Sequence, residues 1–375
     1  MTKTSDGSED SDPDIDIQTP HFRVRAKARW MLAFGAGMAL CFGSLAMSIV
    51  WMQAKPRETP QEVRNGWSAD AFELEETQQI VSSMVPFQLI DENGTPISQD
   101  NRNANVRLWD AVIAVRGTHF VNQPQQIGDC VSWGMKHAIE YLICVEMKTG
   151  PPGQNEFHEV FSPYLYGISR HQVGKDRING DGSCMAWAVK GVAEYGVLRT
   201  NEQGVSAYNG TIARNWGRSG PPQKFIEIAR QTLVKMSSPV RSANEVRDAI
   251  CNGYPVPFGA GGIGFDRTVE KHGRLVGQRS GSWSHAQCII GYDGSGSEPL
   301  FCVLNSWGPL AGGKSPIDNS PPGSYWIVER DMEFIARQGD TFAISNFEGF
   351  KAREIDFRLT RKNKEKNHAL LSMAL

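Results

Sequence analysis

The stretch QQIGDCVSWGMKHAIEYL, residues 125–142, puts a thiol, Cys130, directly behind a helix-capping aspartate, Asp129. A thiol at a helix N-terminus sits among unpaired backbone N–H groups and the positive end of the helix dipole, which favour thiolate over thiol. Such a nucleophile needs a partner that takes its proton and later delivers it to a leaving group, which is histidine chemistry. Of the eight histidines, His21 and His368 lie in the tails, and His137 falls on the polar face of the helix after Cys130. His119, His158, His171 and His272 stand in polar or loop-like surroundings. His285 is different: in SWSHAQCIIGYD it opens an apolar strand among small neighbours, where an imidazole projects into a cleft. Asn305 follows another apolar strand and opens NSWG, and its amide is suited to hold the imidazole in one tautomer. Singly, each of the three reads as core or loop; jointly, they fit nucleophilic acyl transfer.

The elements that must position these residues come in two groups. Val131, Met135, Ala138, Ile139, Leu142 and Ile143 recur on one helix face, and GPPG at 150–153 stops the helix. A second helix is expected over MAWAVKGVAEYG, ended by Gly196. After about residue 250 the pattern changes to short apolar runs broken by Gly, Pro, Asn and Ser: YPVPFGA, AQCIIGYD, LFCVLNSWG, GSYWIVE and TFAIS. Helices first and strands afterwards give an α+β class without internal repeats. GAGGIG at 259–264 matches a dinucleotide fingerprint, but no helix pattern follows and no acid is placed for a ribose. With no CxxC pair and no His-x-x-x-His spacing, neither a metal nor a cofactor is expected.

The order Cys, then His in HAQCIIGY, then Asn in NSWG resembles the papain-like cysteine peptidases, whose motifs read roughly H-A-x-x-x-x-G-Y and N-S-W-G. His285 stands 155 positions after Cys130, just beyond the roughly 130 to 150 of the papain group. FSPYLYG at 161–167 and DGSCMAWAVKGVAEYGV at 181–197 are similar to the family's second-helix and glycine-wall segments. The resemblance covers residues 115–345 and implies a two-lobe fold, a helical lobe and a β-rich, barrel-like lobe with the cleft between them. It implies peptide-bond hydrolysis through a thioester, with Cys130 as nucleophile, His285 as acid and base, Asn305 orienting His285, and Trp307 shielding that bond. The oxyanion would be held by the Cys130 N–H and an amide from Gln125, with Gln123 and Gln126 open to the same role. Gly182 falls in the glycine wall; Ala286 and Gly259 would line the pocket for the residue two before the scissile bond.

A rival match exists at the nucleophile. Aligning Trp133 with the Trp that follows the family's nucleophile puts Ser132 at that position and Gln126 six residues upstream. Aligning Cys130 instead puts Glu140 ten residues on, where the family carries a buried helix glutamate. A serine hydroxyl does not ionise as a thiol does, so Cys130 is the nucleophile read here. The chain departs from the family in three ways: no cysteine three residues before Cys130, Ser284 where many members have Asp or Asn, and no long helical propeptide before residue 115. The first removes the basis for the family's disulfide near this site, and the last puts latency by a cleft-blocking segment in doubt. A catalytically silent binding protein, or a transpeptidase or amidase acting on cell-surface peptides, uses the same features.

With 375 residues and a net charge of -2, the chain has room for one large or two small cores and lacks the basic balance of nucleic-acid binders. Small or peptide-like substrates stay open on this ground, and the resemblance implies a peptide or protein substrate as partner and no nucleic acid. Residues 30–52, WMLAFGAGMALCFGSLAMSIVWM, carry no charge and as a helix span roughly 34 Å, enough for a bilayer. Trp30 and Trp51 flank the run, and Arg23, Arg25, Lys27 and Arg29 precede it, which puts the N-terminus in the cytoplasm and the rest outside. AMS at 46–48 would serve a cleaved signal peptide, but the run is longer than an h-region and starts after an acidic segment. Gly35, Ala39 and Gly43 have the spacing for weak helix–helix self-association in the membrane. The expected organisation is a disordered cytoplasmic segment 1–29, a transmembrane helix 30–52, a stalk or short pro-segment 53–105, a peptidase domain 106–350 and a basic tail 351–375. Of seven cysteines, the six after Cys41 permit disulfides or fill the core.

Overall fold

The computed structural model describes residues 14–19, 22–27, 65–150, 156–232, 234–310, 314–346 and 348–353. The chain divides into two units, Met1–Glu58 and Thr59–Leu375. In the first, Asp14–Thr19 pairs antiparallel with Phe22–Lys27, Asp14 opposite Lys27 and Asp16 opposite Arg25. The membrane run 30–52 and the tail beyond 353 lie outside the described residues. Among the described residues no helix is long and apolar enough to cross a membrane.

The second unit is built on one helix and one strand. Cys130–Thr149 is buried on every side as far as Glu146. Its expected apolar face therefore accounts for only part of its surroundings. Lys136 and Glu140 on the remainder are covered by the chain around 159–160: Lys136 pairs with Glu140 and Glu159, and the Val160 N–H bonds Glu140 at 2.8 Å. His137, expected on a polar face, is buried, and loss of water pushes its imidazole down to about 3.

Trp283–Asp293 is the central strand of a seven-stranded sheet. Leu300–Leu304 pairs antiparallel on one side; on the other, Val256–Ile263 takes its first half and Asn105–Arg107 its last residues. Beyond Leu300–Leu304 lie Ser324–Val328, its parallel neighbour Arg274–Gln278, and Arg267–Lys271. The central strand is buried at every residue except Ser284, so it lacks the polar–apolar alternation of a half-exposed strand. The helix lies close to it, since a Cβ at Gly134 would stand 3.0 Å from the Gln287 carbonyl oxygen. Expected helices and strands follow in the order read above, and the architecture is α+β.

The boundaries differ from those expected. Within the stretch expected as a stalk or short pro-segment, Ala69–Glu73 and Glu75–Ser83 are helices broken at Leu74, and Trp67, Phe72, Val81 and Leu89 enter the main core. At the other end, Phe350–Lys351 pairs in parallel with Leu89–Ile90. A few apolar anchors in a polar-rich stretch suffice to attach it, and such anchors carry no period. Cys130, Cys144, Cys184, Cys251, Cys288 and Cys302 are all buried and free, so the five outside the candidate site serve as core rather than as disulfides.

Candidate active site

Antiparallel pairing builds one wall of the cleft. Leu304 lies opposite Cys288, so Asn305 continues toward Gln287, two residues from His285 on the same strand face, and His285 Nε2 meets Asn305 Oδ1 at 2.8 Å. The same oxygen accepts the Ser306 N–H at 2.7 Å. An amide oxygen only accepts, so Nε2 carries the proton and Nδ1, across the ring, is the basic nitrogen. Trp307 stacks on His285 with ring centroids 4.4 Å apart and planes 27° apart, and Trp283 stands edge-on to Trp307 at 4.7 Å. This aromatic pair keeps water from the His285–Asn305 bond, His285 being only 3% exposed.

The other wall is the start of the Cys130 helix. Cys130 is fully buried, and its Sγ accepts the N–H of Ala286, the residue after His285, at 3.3 Å. Ser132 is engaged locally instead, its hydroxyl donating to the Asp129 carbonyl at 2.8 Å. Among the three candidate glutamines, Gln125 is buried in the cleft while Gln123 and Gln126 are exposed. Gln125 Oε1 accepts from the Ser306 hydroxyl at 2.7 Å and its Nε2 donates to Ile127 O at 3.0 Å. Gln126 Oε1 is taken by the Gly210 N–H at 2.9 Å. Asp129 holds the N-cap position, but its carboxylate makes no cap bond and instead accepts from Tyr208, 3.1 Å away.

Electrostatics at this wall run against the helix-dipole expectation. Burial pushes the Cys130 thiol up to about 12; the N–H groups of Ala286, Val131 and Cys130 oppose the shift, and the neighbouring Asp129 adds to it. Burial likewise raises Asp129 to about 8 despite the Tyr208 hydroxyl. Loss of water outweighs the helix N-terminus here.

A segment of the chain itself lies between the two walls. The Gly66 and Trp67 N–H groups both bond Ser284 O, at 3.0 and 3.1 Å, and the Ser183 N–H bonds Gly66 O at 2.9 Å. The Ser68 N–H returns to Ser183 O at 2.9 Å, so residues 66–68 run as a strand along Ser183. Gly66 lies against Gly128, where a Cβ would stand 2.3 Å from the carbonyl oxygen. The Trp67 indole lies on Gly259 and donates from Nε1 to Asp340 Oδ2 at 2.6 Å. Gly182 borders the same strand at φ +130, and Ala286 pairs with Gly259 in register. The expected glycine-wall and pocket residues thus surround residues 65–68. The absence of a long helical propeptide did not mean an open cleft: four extended residues block it, too short a run to show a period. Trp67, Asp340 and Tyr208 were not singled out from sequence; only Trp67, an aromatic in the polar stretch NGWSAD, offered any signal.

Among the described residues no group of three or more His, Cys, Asp or Glu side chains could hold a metal ion. No protein-family model and no curated protein sequence matches the chain. Among solved structures it is similar to xylellain, a cysteine protease from Xylella fastidiosa, with a TM-score of 0.47 and 16% identity over 78% of this chain and 98% of that one. It is also similar to digestive procathepsin L 3 of Tenebrio molitor larval midgut (TM-score 0.45, 15% identity, 76% of this chain and 77% of that one). A third similar structure is proCathepsin B S9 from Trypanosoma congolense (TM-score 0.46, 12% identity, 76% of this chain and 86% of that one).

Proposed function

We propose that the chain is a papain-like cysteine peptidase, tethered through residues 30–52 and acting on peptides or proteins on the extracytoplasmic side of the membrane. The observation that carries this reading is the joint arrangement of three residues. Cys130 Sγ takes the Ala286 N–H at 3.3 Å, and the adjoining His285 gives its Nε2 proton to Asn305 at 2.8 Å. In this reading Cys130 passes its proton to His285 Nδ1 and the thiolate attacks the peptide carbonyl carbon. The Cys130 N–H and the side-chain amide of Gln125 hold the oxyanion, a donor of this kind being worth about 10²–10³ in kcat. His285 then protonates the leaving amine, the C–N bond breaks, and the thioester remains. Water, giving a proton to His285, hydrolyses the thioester and restores the thiol. Asn305 is a positioning residue, and Trp307 keeps its bond to His285 dry. The membrane tether is supported by the uncharged run 30–52 and the basic residues before it.

The filled cleft supports a latent peptidase that acts once residues 65–68 withdraw. It equally favours a second reading, a peptide-binding protein without turnover, because the thiol beneath the segment is pushed up to about 12. The test is peptide-library hydrolysis and iodoacetamide labelling by the full-length chain and its Trp67→Ala variant, each with Cys130→Ala and Ser132→Ala in parallel. Cys130→Ala is expected to abolish both cleavage and labelling while Ser132→Ala keeps them. Cleavage that survives Cys130→Ala sinks the peptidase reading, and labelling without cleavage selects the binding protein. Product joined to an added amine instead of water selects the transpeptidase.

A further inference from the structure

Trp67 lies in a slot that two missing side chains create. Gly259 and Gly261 lie two apart on one strand and so share a face. A Cβ at the first would stand 2.1 Å from the indole Cδ1, and at the second 2.8 Å from its Cζ3. At the slot's end the buried Asp340 carboxylate accepts three N–H groups: Met185 N at 2.7 Å, Ala186 N at 2.8 Å and the indole Nε1 at 2.6 Å. The first two begin the Met185–Tyr195 helix and stay when residues 65–68 withdraw. The third leaves with Trp67, and a buried carboxylate short of a donor favours an occupant that restores it. Helix capping accounts for the two backbone bonds but not for a slot of indole shape with its acceptor at the ring N–H.

We propose that Asp340 with Gly259 and Gly261 determines specificity: the vacated slot takes a tryptophan side chain whose N–H reaches Asp340 Oδ2. A ring of the same size without that N–H is rejected. Calling the occupant a substrate rests on the peptidase reading; the preference in binding does not.

The test uses the full-length chain carrying Trp67→Ala and Cys130→Ala, whose slot is empty and whose bound peptide is not turned over. It is titrated calorimetrically with peptides that differ at one residue, tryptophan or 3-benzothienylalanine, where sulfur replaces the ring N–H. The tryptophan peptide is expected to bind about tenfold tighter, and equal affinities overturn the proposal. Trp67→Phe, which keeps a ring in the slot, guards against a misfolded alanine variant. It is expected to speed iodoacetamide labelling of Cys130 about tenfold over the natural chain, and an unchanged rate also overturns the role of the N–H. Turnover separates the two ideas. A tryptophan preference in binding without cleavage by the Trp67→Ala chain removes the peptidase reading and leaves the slot, whereas cleavage indifferent to tryptophan removes the slot alone.

Discussion

The two walls of the cleft meet at the Ala286 N–H and Cys130 Sγ, yet they draw on different ranges of sequence. On the strand wall, His285, Ala286, Asn305, Ser306 and Trp307 come from two neighbouring strands and the turn after one of them, and pairing register alone brings them together. On the helix wall, Cys130 depends on parts that arrive from afar. Tyr208 reaches Asp129 across 79 positions, Gly210 holds Gln126, and Gly66 covers Gly128. The strand wall is therefore set by local geometry and the helix wall by packing, and the charge state of the helix wall changes with what packs on it. That contrast predicts that damage to the strand wall disables chemistry, whereas damage to the helix wall shifts protonation and stability.

The largest effect tests the strand wall directly. His285→Ala, in a Trp67→Ala background, should lower kcat/KM for peptide hydrolysis by about 10³ or more with little change in KM; a variant that keeps its rate breaks the comparison. Asn305→Ala should cost about 10- to 100-fold, because the imidazole loses its preferred tautomer rather than its presence. Its signature is a displaced pH–rate profile, and a change confined to KM would argue against a positioning role.

Protonation at the helix wall and in the slot is read by stability against pH. Burial raises Asp129 to about 8 and Asp340 to about 7, both from 3.8, so the folded chain keeps protons that the unfolded chain has lost. A raised folded-state value gives stability that is present at low pH and lost as pH climbs through that value. His137, held down at about 3, acts with the opposite sign but only below 6.5. Between pH 6.5 and 8 the carboxyls therefore dominate, and stability should fall by about 1.4 kcal/mol per pH unit for each proton that the folded chain still holds and the unfolded chain has lost, levelling off above that range. Thermal unfolding across that range checks this, and a midpoint that rises contradicts it. The smallest effect is expected from Tyr208→Phe, about 1 kcal/mol of stability. The lost hydroxyl favoured the ionised Asp129, so its carboxyl should titrate higher still, seen as a pH–stability curve that continues to fall above pH 8.

Legibility follows the same division. HAQCIIGY and NSWG could be read because a strand residue and the residue after its neighbour are brought together by pairing alone. Cys130 could be read because a helix start is a local property. Gln125 could not be separated from Gln123 and Gln126, since what singles it out is Ser306, 181 positions away, which bonds its backbone N–H and its Oε1, while Tyr208 and Gly210 engage Gln126 at the surface. The direction of the thiol's shift was missed for a related reason: the dipole is local, but the burial that outweighs it comes from the packing of the whole unit. Asp340, an aspartate before a strand, reads as a turn residue until Trp67 and the Met185 helix are seen to converge on it. His137 read as surface because a polar residue on an apolar helix usually faces water, and here chain from distant positions covers it.

The pairing of Phe350–Lys351 with Leu89–Ile90 has a kinetic consequence for whatever enters the cleft. The segment that carries Trp67 is also held downstream: Trp187 donates to Thr77 at 2.8 Å, and Phe87 packs on Phe350 with centroids 4.9 Å apart. Cutting the chain before Gly66 would leave Trp67 attached to the domain, as a tethered competitor whose local concentration is on the order of millimolar. An incoming peptide must outcompete that concentration at any dilution of the protein, whereas a cut at Ser68, before the Ala69–Glu73 helix, severs the competitor from the elements that hold it.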